Sequence, residues 1–312
     1  MFYPSGDAWN LWWVQSTDGK NWTEPQQVTN TGISHSPSAV VFREKLYVFH
    51  QGITECLWFN SSVDGVNWLA DTKVLDTKGG NVGMTFSPSA VVWNDTLYVF
   101  HQAAGASNAL WYTWTQDGVN WATDTYIENT ELTESPSACH DGYSVCVFHQ
   151  GGNHSGDLWC KQSTMDFSGK QEEGLSWKDD FQVPNRGISY SPGCTTVAQS
   201  PYVFYQGKND SHEGHYIVGG EGPPEGQGIE CPIPNAFIID SPSAVLYNNN
   251  LYVFHQALGQ SVDPLSGKVI PGEGGALSYN KCDPDVAVWA GDAQIPKVFM
   301  RGCPSAVVTP TA

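Results

Sequence analysis

The sequence predicts an all-β protein: a single domain over residues 1–312, folded as a six-bladed β-propeller with four antiparallel strands per blade. Three observations lead to this prediction. A Ser-Pro-Ser motif followed by an apolar strand recurs along the chain, a second apolar strand ending in His-Gln follows it, and no useful length of sequence has helical periodicity. The repeats begin near residues 36, 87, 135, 191, 241 and 303.

Each repeat supplies four short extended segments. The first two are seen in SPSAVVFREKLYVFHQG, which starts at Ser36, and again in SPSAVVWNDTLYVFHQA, which starts at Ser87. A third segment begins with Leu-Trp, as at Leu57-Trp58, and a turn such as SVDGVNW leads to a fourth. Aromatic and β-branched residues fill these segments, and Gly, Asn and Asp bound them, as is typical of strands and turns.

The two ends of the chain predict closure of the ring. The last repeat stops after its first strand, CPSAVVTPTA, and the chain starts where a second strand is expected. The C-terminal strand is therefore expected to join the N-terminal blade, which leaves no open sheet edge. This alignment places Pro4-Ser5 where the other repeats carry His-Gln.

The repeated polar residues predict carbohydrate binding. In a propeller, the entry to the first strand and the end of the second open on the same rim, with the Leu-Trp strand close by. Amide, imidazole and hydroxyl groups can fix sugar hydroxyls, an indole can pack on a pyranose ring, and equivalent weak sites add avidity. The predicted ligand-binding residues are His50, Gln51, Trp58, His101, Gln102, Trp111, His149, Gln150, Trp159, Gln206, His255 and Gln256.

A structural role is the alternative for the same residues. His-Gln at a strand end can bond the backbone of a neighbouring repeat, and buried polar groups nearly always find such partners. For the Trp residues core packing is favoured, because the space between blades needs large side chains. The Ser of the motif suits a turn.

Charge and composition exclude several classes of partner. The net charge of −18 disfavours nucleic acid and anionic lipid, and no apolar run is long enough to insert into a membrane. The scattered cysteines contain no C-x-x-C pair, and the histidines are expected to be spread around the ring, so no metal and no cofactor are predicted. Glycans or glycoconjugates are the expected partners, and the oligomeric state is left open.

Cysteines and sequons favour an extracellular or secreted setting. Eight cysteines suit disulfides, and Cys139 and Cys146 are expected on adjacent strands of one hairpin. Potential glycosylation triplets occur at Asn21, Asn60, Asn94, Asn153 and Asn209. The N-terminal sequence MFYPSGDAWNLWWVQ has no signal-peptide pattern.

The S-x-D-G-x-x-W turns around Asp18, Asp64 and Asp117, with a partial match at Asp166, resemble the Asp-box of sialidase-type propellers. In that family the box lies between the third and fourth strands, remote from the active site, so the likeness bears on architecture. Sialidases also clamp the sialate carboxylate with three arginines. This chain has only Arg43, Arg186 and Arg301, and Arg43 is expected on the opposite face, so sialidase activity is rejected.

The repeat style is similar to that of the six-bladed lectins of fungi and bacteria, which implies several equivalent monosaccharide sites and no catalysis. A repeated Arg, used by the fucose-binding members, is absent. The alternatives are a protein-interaction propeller and a glycoside hydrolase or lyase with one site at the irregular rim near Asp240. There Glu134 and Asp240 precede the motif where other repeats have His35, Phe86 and Tyr190, and the insertions 207–228 and 257–276 add irregular loops.

Overall fold

The computed structural model describes residues 1–6, 9–105, 107–164, 174–219, 230–257, 275–284 and 288–309, and the backbone of 261–262 and 269–270. Asp166 and much of the two long insertions lie outside the described residues. Strands and turns make up the described part, and no helix occurs in it, so the all-β prediction is confirmed. The search of this part for a helix long and apolar enough to span a membrane found none.

The first two strands of a repeat form a hairpin. In four of the described hairpins the two residues at the tip adopt positive φ, as at Asn94 and Asp95 with 48° and 55°, which suits the right-handed twist of the strands. The hairpin in which His140 pairs with Val145 has a longer tip, over residues 141–144. First strands that follow the Ser-Pro motif are β4 (Ser38–Phe42), β8 (Met84–Trp93), β11 (Thr125–His140), β14 (Phe181–Val197) and β18 (Ser243–Tyr247). Second strands are β1 (Phe2–Pro4), β5 (Lys45–Gln51), β9 (Thr96–Ala103), β12 (Val145–Gly151), β15 (Ser200–Gly207) and β19 (Asn250–Gln256).

The third and fourth strands continue each sheet in antiparallel order. Third strands are β2 (Asn10–Trp13), β6 (Leu57–Ser62), β10 (Ala109–Thr115), β13 (Asp157–Gln162), β16 (Glu213–Val218) and β22 (Gly275–Asp283). Separate fourth strands are β3 (Gln26–Gly32), β7 (Thr72–Lys73), β17 (Cys231–Phe237), and the pair β23 (Val288–Trp289) and β24 (Ala293–Met300). A two-stranded hairpin, β20 (Ser261–Val262) and β21 (Val269–Ile270), lies in the second insertion.

Two long strands connect successive repeats. β11 pairs with β10 over its first half and with β12 over its second, and its register shifts between Thr133 and Ser137. β14 does the same between β13 and β15. Each therefore serves as the last strand of one repeat and the first strand of the next, with an irregularity at the Ser-Pro motif.

The apolar core lies between neighbouring sheets. One cluster joins Phe49 and Phe59 of one repeat to Val99 and Trp121 of the next. The N-terminal sheet contributes to two clusters, with Tyr3 packed among residues of the Tyr252 sheet and Leu11 packed with Val48. Both faces of a sheet are therefore covered, which explains why second strands such as β5 are buried at nearly every position.

Serine hydroxyls of the Ser-Pro-Ser motifs bond adjacent repeats together. The third motif residue accepts a hydrogen bond from the backbone of the following repeat: Ala90 N donates to Ser38 Oγ at 2.9 Å, and Ala138 N to Ser89 Oγ at 2.8 Å. The C-terminal motif takes part as well, since Ala39 N donates to Ser305 Oγ at 2.8 Å. The motif is thus an interface element between repeats as well as a turn.

The chain ends meet in the N-terminal sheet. Phe2 N donates to Ser305 O at 2.9 Å, and Ser305 N to Phe2 O at 2.8 Å. The register corrects one expectation. Tyr3 lies opposite Trp12 as His50 lies opposite Trp58, so Tyr3-Pro4, and not Pro4-Ser5, occupies the place of His-Gln.

Candidate functional site

The four histidines predicted to contact sugar are interior residues. His50, His101, His149 and His255 have no exposed surface. Nε2 of each faces an aspartate, at 3.3, 3.0, 3.2 and 2.9 Å respectively. A sugar cannot reach these atoms in this structure, so the placement corrects the expectation of direct contact and assigns the histidines a structural role.

The aspartates that pair with these histidines were not predicted from the sequence, although a sequence pattern marks them. They follow the turn tryptophan by three residues in a W-x-x-D pattern; the four are Asp71, Asp124, Asp180 and Asp292. Where the histidine is replaced by Tyr205, the carboxylate is Glu230, and the two bond at 2.6 Å. Where Tyr3 stands in its place, W-x-x-D becomes W-x-x-P at Pro25. The pair therefore changes together, as contacting residues do.

Both nitrogens of the buried imidazole rings have oxygen atoms as neighbours. Nδ1 of His101 lies 3.2 Å from the Gln102 carbonyl oxygen, while Nε2 lies 3.0 Å from Asp124 Oδ1. His149 and His255 have the same arrangement. Both ring nitrogens therefore face oxygen atoms that accept hydrogen bonds, one on the backbone and one on a carboxyl group.

The glutamines are also buried, with at most 7 % of their surface exposed; they are Gln51, Gln102, Gln150, Gln206 and Gln256. Three of them donate to a backbone carbonyl three residues before the next Ser-Pro: Gln51 to Met84 O at 2.8 Å, Gln150 to Ile188 O at 3.2 Å and Gln206 to Ile238 O at 2.5 Å. Gln102 donates to Asn108 Oδ1 at 3.2 Å. The contacts agree with the structural alternative, in which these amides hold the entry to the neighbouring repeat.

The predicted tryptophans are half-buried and differ in what covers them. Lys73 Nζ lies 5.1 Å from the centre of the Trp58 ring, and Trp111 packs on Tyr126 at 5.6 Å. Trp159 lies against Gly151, where an added Cβ would be 2.6 Å from Nε1. Trp58 lies against Gly52 in a similar way, with an added Cβ 2.6 Å from Cδ1, so Trp58 and Trp159 share a glycine neighbour, whereas Trp58 and Trp111 have different side chains beside them. A sugar-binding role for them stays a prediction.

A cavity of about 370 Å³ runs along the first strands of the repeats. Its walls are lined by the Ser-Pro motifs and the apolar residues after them, from the segments beginning at Ser36, Ser87, Ser135, Ser191, Ser241 and Cys303. The volume is within the range of small-molecule sites. The residues that directly precede these lining segments differ in chemistry from one repeat to the next.

We define the mouth residues as those that immediately precede the Ser-Pro or Cys-Pro dipeptide at the start of each of the six repeats: His35, Phe86, Glu134, Tyr190, Asp240 and Gly302. Three of the non-glycine members have positive φ, with 65° at Phe86, 67° at Glu134 and 62° at Tyr190. A bulky residue in this region is strained, and such strain clusters at functional sites. All six residues are half-buried, so part of each faces solvent.

The mouth residues interact although they come from different repeats. The rings of His35 and Phe86 meet edge to face at 5.3 Å, and His35 Nδ1 contacts the Gln51 amide oxygen. The negative charge of Asp240 acts electrostatically on Glu134, His35 and Tyr190. Residues of at least four repeats therefore converge on one place.

Burial and charge change the acidity of these groups. Burial, with the negative charge of Asp240, raises the pKa of Glu134 to about 7. Burial lowers the pKa of His35, opposed by its bond to Gln51 and by Asp240. The pKa of Tyr190 is raised by burial and by the carboxylates of Asp210, Asp240 and Glu134. Near neutral pH the mouth thus holds a carboxyl group able to donate a proton beside a second carboxyl group.

Asp240 is held by the adjacent repeat. Its Oδ1 accepts from Ser241 N at 2.7 Å and from the Cys303 thiol at 3.3 Å. The Cys303 backbone in turn donates to Ser36 Oγ at 2.7 Å. Glu134 and Asp240, the two acidic departures from the repeat, each directly precede a cavity-lining Ser-Pro segment, and the charge of Asp240 acts on Glu134.

The Asp-box-like turns lie elsewhere and are self-contained. Asp64 Oδ1 accepts from Val66 N at 2.9 Å and from Asn67 N at 2.7 Å, and Oδ2 accepts from Asn67 Nδ2 at 2.7 Å. Asp18 and Asp117 make the same bonds. Within the described residues, no group of three or more His, Cys, Asp or Glu is placed to hold a metal ion.

No protein family and no curated protein matches the sequence. Solved structures do share its fold. AofleA from Arthrobotrys oligospora aligns with a TM-score of 0.62 at 11% identity, over 95% of this chain and 84% of that one. A variant of the Aleuria aurantia lectin AAL, in complex with Fucα1-6GlcNAc, aligns with a TM-score of 0.61 at 12% identity, over 93% and 89%.

The chain has a β-propeller fold. An α-L-arabinofuranosidase from Clostridium thermocellum is a further neighbour, with a TM-score of 0.53 at 15% identity, over 85% of this chain and 94% of that one. The neighbours thus include a sugar-binding lectin and a sugar-cleaving enzyme. At these identities the likeness establishes the fold, and the function has to be argued from the site.

Proposed function

We propose that this propeller binds carbohydrate at one site, formed by the mouth residues at the entrance of the central cavity. One observation carries the proposal. Six repeats that keep the following Ser-Pro or Cys-Pro carry six different residues in the position just before it. Residues that only maintain the fold are kept from repeat to repeat, because each repeat has the same structure. A site for a single ligand requires the repeats to carry different residues where they contact that ligand.

The chemistry of the mouth suits a sugar. Phe86 and Tyr190 provide aromatic surface for the apolar face of a pyranose. The carboxyl groups of Glu134 and Asp240 accept hydrogen bonds from hydroxyls, and a protonated Glu134 can also donate. The carboxyl groups also disfavour anionic sugars such as uronates and sialates, so neutral glycans are the preferred class.

We infer a closed six-bladed architecture around this site. The inference is supported by six Ser-Pro or Cys-Pro segments lining a common cavity, by the pairing of Phe2 with Ser305, and by the bond from Ala39 N to Ser305 Oγ. In this architecture the C-terminal segment is the innermost strand of the N-terminal blade. The S-x-D-G-x-x-W turns would correspond to the Asp-boxes of other propellers.

The multivalent lectin with equivalent sites is the competing arrangement. It draws support from the recurrence of Trp58, Trp111 and Trp159, and it is weakened by their unlike neighbours. A glycan array followed by titration calorimetry distinguishes the two. One sugar bound per chain supports the mouth site, and several per chain support the equivalent sites. No binding to any glycan would refute both and favour a protein-interaction propeller.

The mouth assignment is tested with Asp240→Asn, which keeps the size of the side chain and an acceptor oxygen. We expect at least a tenfold loss of affinity with little change in thermal stability, because a charged acceptor is lost at a half-buried site. Asp95→Asn is the matched control: Asp95 is an exposed hairpin residue paired with Arg43 at 2.9 Å. Equal affinity of the two variants would contradict the assignment.

A glycoside hydrolase is the second candidate, and the raised pKa of Glu134 favours it. A carboxylic acid protonated near neutral pH beside a second carboxyl group is the arrangement that glycosidases use as acid and as base or nucleophile. The test is release of nitrophenol from a panel of aryl glycosides. Activity that is lost in both Glu134→Gln and Asp240→Asn would establish catalysis, and binding without turnover would leave the lectin.

A further inference from the structure

Two cysteines replace the repeat's usual residues in the wall of the cavity. Cys194 stands where the other five repeats have alanine, namely Ala39, Ala90, Ala138, Ala244 and Ala306. Cys139 stands where four others have valine, namely Val40, Val91, Val245 and Val307. The replacements occur in consecutive repeats, on strands β11 and β14.

The two replacements meet in space. Side chains one residue apart along a strand point to opposite faces, so Cys139 faces the following repeat while Cys194 faces the preceding one. Cys194 packs against the buried cluster that contains Cys139. Ser137 fixes the second cysteine from both sides, since Cys194 N donates to Ser137 Oγ at 2.9 Å and Ser137 Oγ lies 3.3 Å from Cys194 Sγ.

The two thiols differ in access. Both residues line the cavity, but Cys194 is half-buried, whereas Cys139 is 3 % exposed and packs among buried residues that include Cys146 and Cys160. Burial raises the pKa of the Cys139 thiol. A small oxidant that enters the cavity would therefore reach Cys194 first, with Cys139 next to it as the second thiol.

We propose that Cys139 and Cys194 are an oxidative modification site, which hydrogen peroxide converts to a disulfide joining two adjacent repeats. The Cys194 sulfur attacks one peroxide oxygen, the O–O bond breaks, and a sulfenic acid and water form. The Cys139 sulfur then attacks the sulfenic sulfur, the S–S bond forms and a second water leaves. Two thiols and one peroxide thus yield one disulfide and two waters.

The disulfide joins residues on the first strands of two repeats. It closes a long loop of chain, and such cross-links stabilise mainly by restricting the unfolded state. Oxidation is therefore expected to raise the melting temperature, on the order of 5 °C. It also draws one part of the cavity wall together, beneath Glu134 and Tyr190.

The test is treatment of the full-length protein with hydrogen peroxide, alkylation of remaining thiols, and peptide mapping by mass spectrometry without reduction. The expected product is a peptide pair linked through Cys139 and Cys194, two hydrogen masses lighter than the separate peptides. Dithiothreitol should release it and reverse the rise in melting temperature.

Matched variants come from the repeat itself. Cys194→Ala and Cys139→Val restore the residues found at the same positions of other repeats, so both should fold. Each should lose the linked peptide and the oxidation-dependent rise in melting temperature. Absence of the Cys139–Cys194 peptide in the wild type, or its replacement by a Cys139–Cys146 peptide, would overturn the proposal, as would an equal rise in both variants.

Discussion

Nε2 of His101 lies 3.0 Å from Oδ1 of Asp124, and the histidine has no exposed surface. The pair recurs in three other repeats, and a Tyr-Glu pair replaces it in a fifth. It joins the end of the second strand to the start of the fourth within one sheet. In these five repeats the pair links two strands of the same sheet.

Removing one member of that pair should be costly. Asp124→Ala leaves a buried imidazole without its carboxylate, and we expect a loss of about 3 kcal/mol in the free energy of unfolding, measured with urea. The double variant His101→Tyr, Asp124→Glu copies the pair of Tyr205 and Glu230 and should recover part of this loss. An unchanged midpoint for Asp124→Ala would show that the pair contributes nothing.

Gln150→Ala tests the glutamine bridges. It removes the donor to Ile188 O and leaves that buried carbonyl unpaired, so we expect a loss of about 1–3 kcal/mol in unfolding free energy. Glycan affinity should stay the same, because the amide lies inside the protein. Gln27→Ala, at an exposed strand position, is the control. Reduced affinity with unchanged stability would return Gln150 to the binding site.

The raised pKa of Glu134 makes stability depend on pH. Between its ordinary value of 4.5 and about 7, the folded protein binds more protons at this site than the unfolded chain. The contribution of Glu134 to the free energy of unfolding is therefore complete below about pH 4.5 and is lost as the pH rises through 7. Glu134→Gln should melt higher than the wild type at pH 8 and alike at pH 4. A difference of the opposite sign would contradict the burial of this carboxyl group.

The Asp-box-like turns make the stability depend on pH in the opposite direction. Hydrogen bonds from the turn backbone and from an Asn side chain hold the pKa of Asp18, Asp64 and Asp117 well below the usual range. Their contribution to the free energy of unfolding is present above the pKa of an Asp in the unfolded chain. It is lost as the pH falls toward the lower pKa of the folded state. The triple variant with Asn at all three positions should melt lower at pH 6, with a smaller difference from the wild type at pH 3. Differential scanning fluorimetry over this range would show it, and parallel curves would argue against it.

How far the sequence predicts the fold is clearest in the Ser-Pro repeats. Strand order and the hairpin between first and second strands follow from local periodicity and turn residues, which are properties of neighbouring positions. The prediction that Pro4-Ser5 takes the place of His-Gln was wrong, because the pairing register depends on which strand lies alongside. His101 is a second example: its partner Asp124 is 23 residues away in the chain, and only the repeated W-x-x-D pattern marks that aspartate in the sequence.

The repeat of four-stranded units, and the departure of Glu134 and Asp240 from it, can be read from the order of residues alone. Which polar residues are buried and which reach solvent is known only from the folded chain. A polar side chain carries the same chemical groups whether it links two strands or binds a ligand. Its role depends on exposure and partners, and those exist only once distant strands have packed together.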